Sequence, residues 1–184
     1  MKFTPGPLEG IVIIEPRTHS DPRGEFFETY NMKLFSDYGI DTEFCQDNQS
    51  NSSKNVIRGL HYQKWPHSQG KLVRVVSGAA LDVVLDIRKS SKTFGRHFSI
   101  ELSAANRKML WIPEGFAHGF SSFQENTVFL YKVTRYYHPQ SDRGIRYDDP
   151  ELSIDWKVQN AMVSEKDLKL PTWSEFLRNT EEMD

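Results

Sequence analysis

Residues 71–87 read KLVRVVSGAALDVVLDI, two runs rich in valine and leucine on either side of Gly78. Valine and other β-branched residues favour strands, and glycine commonly marks the turn between two of them. We therefore predict strands at Lys71–Ser77 and Ala79–Ile87.

Similar runs continue in both directions along the chain. They cover residues 11–15, 24–30, 56–62, 97–102, 108–112, 118–123 and 127–137. Many short strands separated by turn-forming residues indicate an all-β sandwich or barrel. Helices are expected only at its edges, at Met32–Tyr38 and, opened by a serine cap, at Ser174–Glu182. With no internal repeat and no linker, we predict one domain over residues 1–184 with a helical C-terminal tail.

The composition restricts the possible partners of this domain. The chain has 184 residues, a formal net charge of −2 and 12% aromatic residues, which is typical of a folded protein. The charge gives no overall basic field, so we expect no nucleic-acid partner. The single cysteine, Cys45, excludes an intrachain disulfide. Residues 1–10 do not resemble a signal peptide, and no run approaches the roughly 18 apolar residues of a membrane span, so we predict a cytoplasmic protein without a membrane partner.

A candidate for proton-transfer chemistry lies in the strand-like segment Val56–Gln63. Strict alternation places His61 and Gln63 on one face of this segment. A histidine that faces the interior of a small barrel can act as a general base, because its ordinary pKa is close to neutral pH. The alternative is a hydrogen-bonded histidine with only a structural role.

The same segment argues against a metal site. The residue two positions after His61 is Gln63, a poor ligand for zinc or iron, and Lys71 would bring a positive charge nearby. The later histidine, His118, has no further ligands at suitable spacing. We therefore expect neither a metal nor any other cofactor.

Charged and aromatic residues suggest how an anionic ligand would be held. There is no glycine-rich phosphate loop, so side chains must bind any phosphate; the candidates are Arg23, Arg58, Lys71 and Arg88. Alternation places Tyr131 and Tyr137 on one face of the run that ends at residue 137, where one is a possible proton donor and the other a stacking surface. The alternatives are solvated or structurally paired charges and tyrosines packed in the core.

Eight segments in a fixed order resemble the dTDP-4-dehydrorhamnose 3,5-epimerase family. The resemblance implies a cupin-like jelly-roll β-barrel with short peripheral helices and no catalytic metal. It also implies a dTDP-sugar substrate and a homodimer in which strands are exchanged between subunits. The segments are Asp21–Glu28, Gln46–Asn48, Val56–Gln63, Gln69–Arg74, Asp82–Arg88, Trp111–Phe120, Phe129–Tyr137 and Ser164–Asp167.

The resemblance assigns roles to individual residues. His61 matches the base, Asp167 the carboxylate that orients it, Lys71 the cation beside the enolate oxygen and Tyr131 the acid on the opposite face. Tyr137 matches the aromatic residue that stacks on thymine. Further positions match residues that hold the nucleotide, the diphosphate or the sugar: Arg23, Glu28, Gln46, Asn48, Arg58, His118, Asp142 and Lys166.

The implied reaction is inversion of C3 and C5 in dTDP-4-dehydro-6-deoxy-D-glucose, giving dTDP-4-dehydro-L-rhamnose for dTDP-L-rhamnose biosynthesis. Three alternatives stay open at this point. One is an epimerase for a single centre, or a ketoisomerase, acting on a related nucleotide sugar. The second is a non-catalytic sugar-nucleotide-binding barrel, which predicts loss of His61, Lys71 or Asp167, although all three are present. The third is a metal-dependent cupin enzyme.

Overall fold

The computed structural model describes residues 1–179, which form thirteen β-strands and three short α-helices. The protein is therefore all-β, as its sequence predicts. None of the described helices is long and apolar enough to cross a membrane. The strands are β1 (Lys2–Pro5), β2 (Val12–Glu15), β3 (Thr18–Asp21), β4 (Gly24–Phe27), β5 (Gln46–Ser52), β6 (Ile57–Gln63), β7 (Lys71–Ser77), β8 (Ala79–Asp86), β9 (His97–Ser103), β10 (Met109–Ile112), β11 (Phe116–Ser122), β12 (Thr127–Val133) and β13 (Asp142–Gly144). The helices are α1 (Met32–Tyr38), α2 (Glu165–Leu168) and α3 (Trp173–Arg178).

Two antiparallel sheets contain most of the strands. The larger has the order β1-β2-β10-β7-β12-β5, and the smaller has the order β13-β6-β11-β8-β9. The strands β3 and β4 form a separate hairpin. Consecutive strands β7 and β8 lie in different sheets, so the chain changes sheet at Gly78.

The two sheets pack face to face through one apolar core. Val73 and Phe129 of the larger sheet meet Val84 and Phe120 of the smaller sheet in one cluster of buried residues. The rings of Phe120 and Phe129 are stacked with centroids 4.3 Å apart. Burial of each such side chain stabilises the fold by about 2 kcal/mol. This apolar core holds the inner faces of the two sheets together.

The C-terminal part of the chain covers the outer face of the smaller sheet. Leu81, Val83 and Leu85 point outward from β8 and are buried by a cluster that includes Trp156 and Phe176. This packing fixes the course of residues 145–179 against the sheet. It thereby carries α2 to the end of β6, where the polar residues collect.

Several element boundaries differ from those predicted. The last helix begins at Trp173 after a Thr172 cap, and not at a Ser174 cap, because the Thr172 hydroxyl and Glu175 form a capping box. Residues 180–182 of the predicted helix lie outside the described residues. The predicted strands 24–30 and 127–137 end early, at Phe27 and Val133.

Four strands had no counterpart in the prediction: β1, β3, β5 and β13. The sequence of β5 is QDNQSNS, which contains no apolar residue and therefore no visible alternation. It forms because its backbone pairs with β12 over its whole length. The local sequence does not reveal this pairing partner, so β5 could not be predicted from its own residues.

Candidate active site

A cavity of about 680 Å³ opens at the polar end of the two sheets. It collects side chains from both sheets and from the C-terminal segment. All the predicted site residues except Arg23 and Glu28 line it, namely Gln46, Asn48, Arg58, His61, Lys71, His118, Tyr131, Tyr137, Asp142, Lys166 and Asp167.

An irregularity in β6 brings both Arg58 and His61 to this cavity. Residues an odd number apart on a regular strand face opposite sides, but the pairing of β6 with β11 shifts register between these two positions. Gly59 lies within the shift with φ +118°, and a Cβ added there would be 2.6 Å from Gly119 Cα. Only glycine fits so close an approach, and Leu60 turns into the core of the outer face instead.

His61 is held by a carboxylate from the C-terminal segment. Its Nε2 lies 2.7 Å from Asp167 Oδ1, and the Gly59 N–H donates to Asp167 Oδ2 at 3.2 Å. Asp167 is placed by α2, because the Ser164 hydroxyl caps this helix by accepting a hydrogen bond from Asp167 N. Burial acts to raise the pKa of Asp167, but the hydrogen bonds from His61, Gly59 and Ser164 hold this pKa below its ordinary value.

This contact decides which nitrogen of His61 is basic. An ionised carboxylate only accepts hydrogen bonds, so the Asp167 contact requires a proton on Nε2. In the neutral ring Nδ1 then carries the free lone pair. The His61 side chain is 31% exposed, so the ring is open to a ligand in the cavity.

Lys71 begins β7 and is buried at the cavity wall. Burial disfavours the ammonium form and lowers the pKa of Lys71 to about 8, while Asp82 and Asp142 act to raise it. The lysine is therefore cationic at neutral pH and loses its charge as the pH rises through about 8.

A second histidine–carboxylate pair lies across the strand pairing from the first. His118 is the register partner of His61, and its Nε2 lies 2.8 Å from Asp82 Oδ2. Burial lowers the pKa of His118 in spite of Asp82, so this imidazole is neutral at neutral pH. Sequence reasoning did not single out Asp82; its signal was an aspartate with apolar residues on both sides in β8.

Two tyrosines reach the cavity, but not by the predicted alternation. Tyr131 lies on β12, where burial raises its pKa, so the phenol stays protonated. The prediction that Tyr137 lies on the same strand is wrong, because β12 ends at Val133 and Tyr137 belongs to the following loop. Its hydroxyl donates to Asp142 Oδ2 at 3.0 Å, and its N–H donates to Gln46 Oε1 at 3.1 Å.

The rim of the cavity carries a polar network. Asp142 forms an ion pair with Lys166, and the Gln46 amide donates to Asn48 Oδ1 at 2.8 Å. Arg58 donates through Nε to Ser52 Oγ at 3.2 Å. Two of these residues are cationic, so this rim offers complementary charge to an anionic ligand.

Gln63 lies on the same side of β6 as His61, as alternation predicts, and it lines the cavity. Its amide is occupied by loop backbone, since Nε2 donates to His67 O at 2.7 Å and Oε1 accepts from His138 N at 2.7 Å. Within residues 1–179, no group of three or more histidine, cysteine, aspartate or glutamate side chains is arranged to hold a metal ion.

Three predicted cations or anions lie away from this cavity. Arg23 lies in the turn of the exposed β3–β4 hairpin and bonds to Asp21, and Glu28 follows β4 and bonds to Asn31. Neither residue lines the cavity of its own chain, and their role in substrate binding stays a prediction. Arg88, the fourth phosphate candidate, forms an ion pair with the buried Asp86 and does not line this cavity.

Fold and site together define an all-β protein with an acid–base site, in which a histidine–carboxylate pair shares a cavity with a lysine and a tyrosine. The family model described as dTDP-4-dehydrorhamnose 3,5-epimerase matches residues 5–175. The chain belongs to the dTDP-4-dehydrorhamnose 3,5-epimerase family.

Individual relatives agree with this assignment. The dTDP-4-dehydrorhamnose 3,5-epimerase of Shigella flexneri is 49% identical over 88% of this chain and 90% of its own length. The structure of the 3,5-epimerase of Legionella pneumophila in complex with dTDP-4-keto-L-rhamnose is 41% identical, covers 99% of this chain and 96% of its own, and has a TM-score of 0.94. A 3′-monoepimerase of Streptomyces bikiniensis in complex with dTDP-quinovose is 31% identical, covers 95% of this chain and 89% of its own, and has a TM-score of 0.89.

Proposed function

We propose that this protein inverts C3 and C5 of dTDP-4-dehydro-6-deoxy-D-glucose to give dTDP-4-dehydro-L-rhamnose, a step of dTDP-L-rhamnose biosynthesis. The observation that carries the proposal is the 2.7 Å contact between His61 and Asp167 in the cavity that Lys71 and Tyr131 also line. A base, an oriented carboxylate, a cation and an acid are the groups that proton exchange beside a ketone requires.

The reaction begins with proton abstraction. The ketone at C4 acidifies the protons at C3 and C5, because the electron pair left on carbon is delocalised onto the ketone oxygen. His61 Nδ1 takes the proton, and the Asp167 carboxylate stabilises the imidazolium that forms. The Lys71 ammonium stabilises the enolate oxygen, whose charge is larger in the transition state than in the ground state.

Inversion requires that a proton return from the other face of the sugar. Tyr131 fills this role, because burial raises the pKa of its phenol and so keeps the proton available until carbon accepts it. The enolate electron pair forms the new C–H bond and the negative charge passes to the tyrosine oxygen. His61 and Tyr131 then regain their starting protonation by exchange with water.

Substrate binding is assigned to the cavity rim. Tyr137 is 53% exposed and offers a face for stacking on thymine. Arg58 and Lys166 offer positive charge to the diphosphate. The other binding residues proposed within this chain's own cavity are Gln46, Asn48, His118 and Asp142.

We also propose that the fold is a cupin-like jelly-roll barrel of one domain, residues 1–184, which acts as a cytoplasmic homodimer with exchanged strands. The β3–β4 hairpin supports this assembly, because Arg23 and Glu28 project from it and Phe26 is 69% exposed. In a dimer the hairpin of one subunit would bring both residues to the cavity of its partner. Light scattering with size-exclusion chromatography tests this, and a monomer that is fully active would contradict it.

The main alternative is inversion of a single centre. Its support is the similarity to a 3′-monoepimerase, since one fold serves both outcomes. Incubation with dTDP-4-dehydro-6-deoxy-D-glucose in deuterated water, followed by NMR, distinguishes inversion of two centres from inversion of one centre and from binding without catalysis. We expect deuterium at both C3 and C5; label at one carbon would indicate a single-centre enzyme, and no label would indicate a binding protein.

A further inference from the structure

Asp82 is a buried carboxylate to which the proposed reaction assigns no task. It lies on β8 between Ala80 and Val84, whose side chains belong to the core between the sheets. Its side chain is fully buried, and no described residue donates a hydrogen bond to its Oδ1. A buried carboxylate is costly in a fold unless another charge or a function compensates it.

Lys71 and Asp82 belong to opposite sheets, and both side chains are buried. Lys71 precedes Val73 by two residues on β7, and Val73 points into the same core from the opposite sheet. Both side chains therefore project toward the space between the sheets, one from each sheet. Of the charges that favour the ammonium form of Lys71, Asp82 is the strongest and Asp142 is second.

The carboxylates near the cavity, Asp82, Asp142 and Asp167, have different hydrogen-bond and ion-pair partners. Asp142 already has an ion pair with Lys166 and a hydrogen bond from Tyr137, and Asp167 is bonded to His61. Among residues 1–179, the Asp82 carboxylate has His118 as its single hydrogen-bond partner, and this imidazole is neutral at neutral pH because burial lowers its pKa. The titratable or charged groups that line the cavity together with Lys71 include Arg58 and His61 on β6, His118 on β11, Tyr131 on β12, and Tyr137, Asp142, Lys166 and Asp167.

We propose that Asp82 is a positioning residue that acts through Lys71: its buried negative charge holds the lysine in the cationic form that stabilises the enolate. His118 supports this role by binding one carboxylate oxygen without neutralising the charge. The inference rests on the proposed function for its consequence, because a neutral lysine could not stabilise a developing oxyanion.

The test measures the charge of Lys71 directly. Full-length protein labelled with ¹³C at lysine Cε is titrated by NMR, and the Lys71 signal is identified by its loss in Lys71→Arg. In Asp82→Asn we expect the Lys71 midpoint to fall by roughly one pH unit, the effect of removing one nearby charge. The matched control is Asp86→Asn, an equally buried aspartate on the same strand that bonds to Arg88, and it should leave the midpoint unchanged.

Circular dichroism first checks that each variant folds. Should Asp82→Asn fail to fold, Asp82→Thr replaces it with the same expected shift. Equal midpoints in the wild type and the uncharged variant would overturn the proposal.

Activity provides the second measurement. The alkaline limb of kcat/KM should move to lower pH with the Lys71 midpoint in Asp82→Asn and should keep its wild-type position in Asp86→Asn. A limb that stays in place while the midpoint moves would also overturn the proposed role. Because the NMR midpoint needs no turnover, absence of epimerase activity in the wild type would refute the function and leave the charge coupling measurable.

Discussion

The two histidine–carboxylate pairs of the cavity have the same chemistry and nearly the same geometry. His61–Asp167 and His118–Asp82 are 2.7 and 2.8 Å long, and their histidines are register partners on adjacent strands. They differ in exposure, since the side chain of His61 is 31% exposed and that of His118 is 8% exposed. A base must reach its substrate, so we propose proton transfer for the exposed first pair and a part in binding and charge balance for the buried second pair.

Replacing each of the two histidines in turn should give the largest difference between the two pairs. His61→Asn should lower deuterium exchange at both C3 and C5 by about 10³-fold, because general-base catalysis contributes roughly 10²–10⁴-fold. His118→Asn should mainly raise KM. NMR in deuterated water measures both variants. Exchange that persists at either carbon in His61→Asn near the wild-type rate would show that one base does not serve both centres.

Replacing the two aspartates gives the next largest effect. Asp167→Asn should lower kcat by roughly 10²-fold with KM nearly unchanged, because the amide neither fixes the His61 tautomer nor balances its charge. The same substitution at Asp82 should lower activity mainly above pH 7, where Lys71 loses its proton earlier. A pH profile of kcat distinguishes them, and identical profiles for the two variants would mean that the pairs are not functionally different.

The alkaline limb of the wild type is expected near pH 8. The pKa of Lys71 lies at about 8, below its ordinary value, so the cation is complete at lower pH and disappears as the pH rises. Lys71→Arg should abolish this limb at whatever activity remains, because arginine stays charged throughout. A limb at the same pH in Lys71→Arg would assign it to another group.

The two tyrosines of the cavity should also differ in their roles, one in proton transfer and one in binding. Tyr131→Phe removes only a hydroxyl, so deuterium exchange should survive better than inversion, which lacks its acid. Tyr137→Ala removes a stacking surface worth on the order of 1 kcal/mol and should raise KM several-fold without changing the ratio of exchange to inversion. Product stereochemistry and label are read by NMR from one sample. The reverse pattern would exchange the two roles.

Metal removal should have the smallest effect. Gln63 stands where a second ligand histidine would be needed, and its amide is held by the backbone of two loops. Dialysis against a strong chelator should leave kcat/KM unchanged. Activity that returned only on addition of a divalent cation would contradict a cofactor-free reaction.

Local sequence patterns predicted the elements whose own side chains favour the observed backbone conformation. The strand Lys71–Ser77 and the helix Met32–Tyr38 were predicted with their observed bounds, because apolar runs, a glycine break and helix periodicity are local features. The strand β5 was missed because only its pairing with β12 makes it a strand. The roles of the acid–base residues were predicted through resemblance to a family.

The sequence by itself determined the all-β class, the break at Gly78 and the supply of one histidine, one lysine and one tyrosine suited to proton transfer. Only the tertiary structure decided which side chains meet. The register shift at Gly59 turns Arg58 and His61 to one side, and the packed C-terminal segment delivers Asp167 from 106 residues away. The packing of the two sheets brings the charge of Asp82 within range of Lys71. Alternation and propensity act over a few residues, whereas burial and charge coupling depend on contacts between distant parts of the chain.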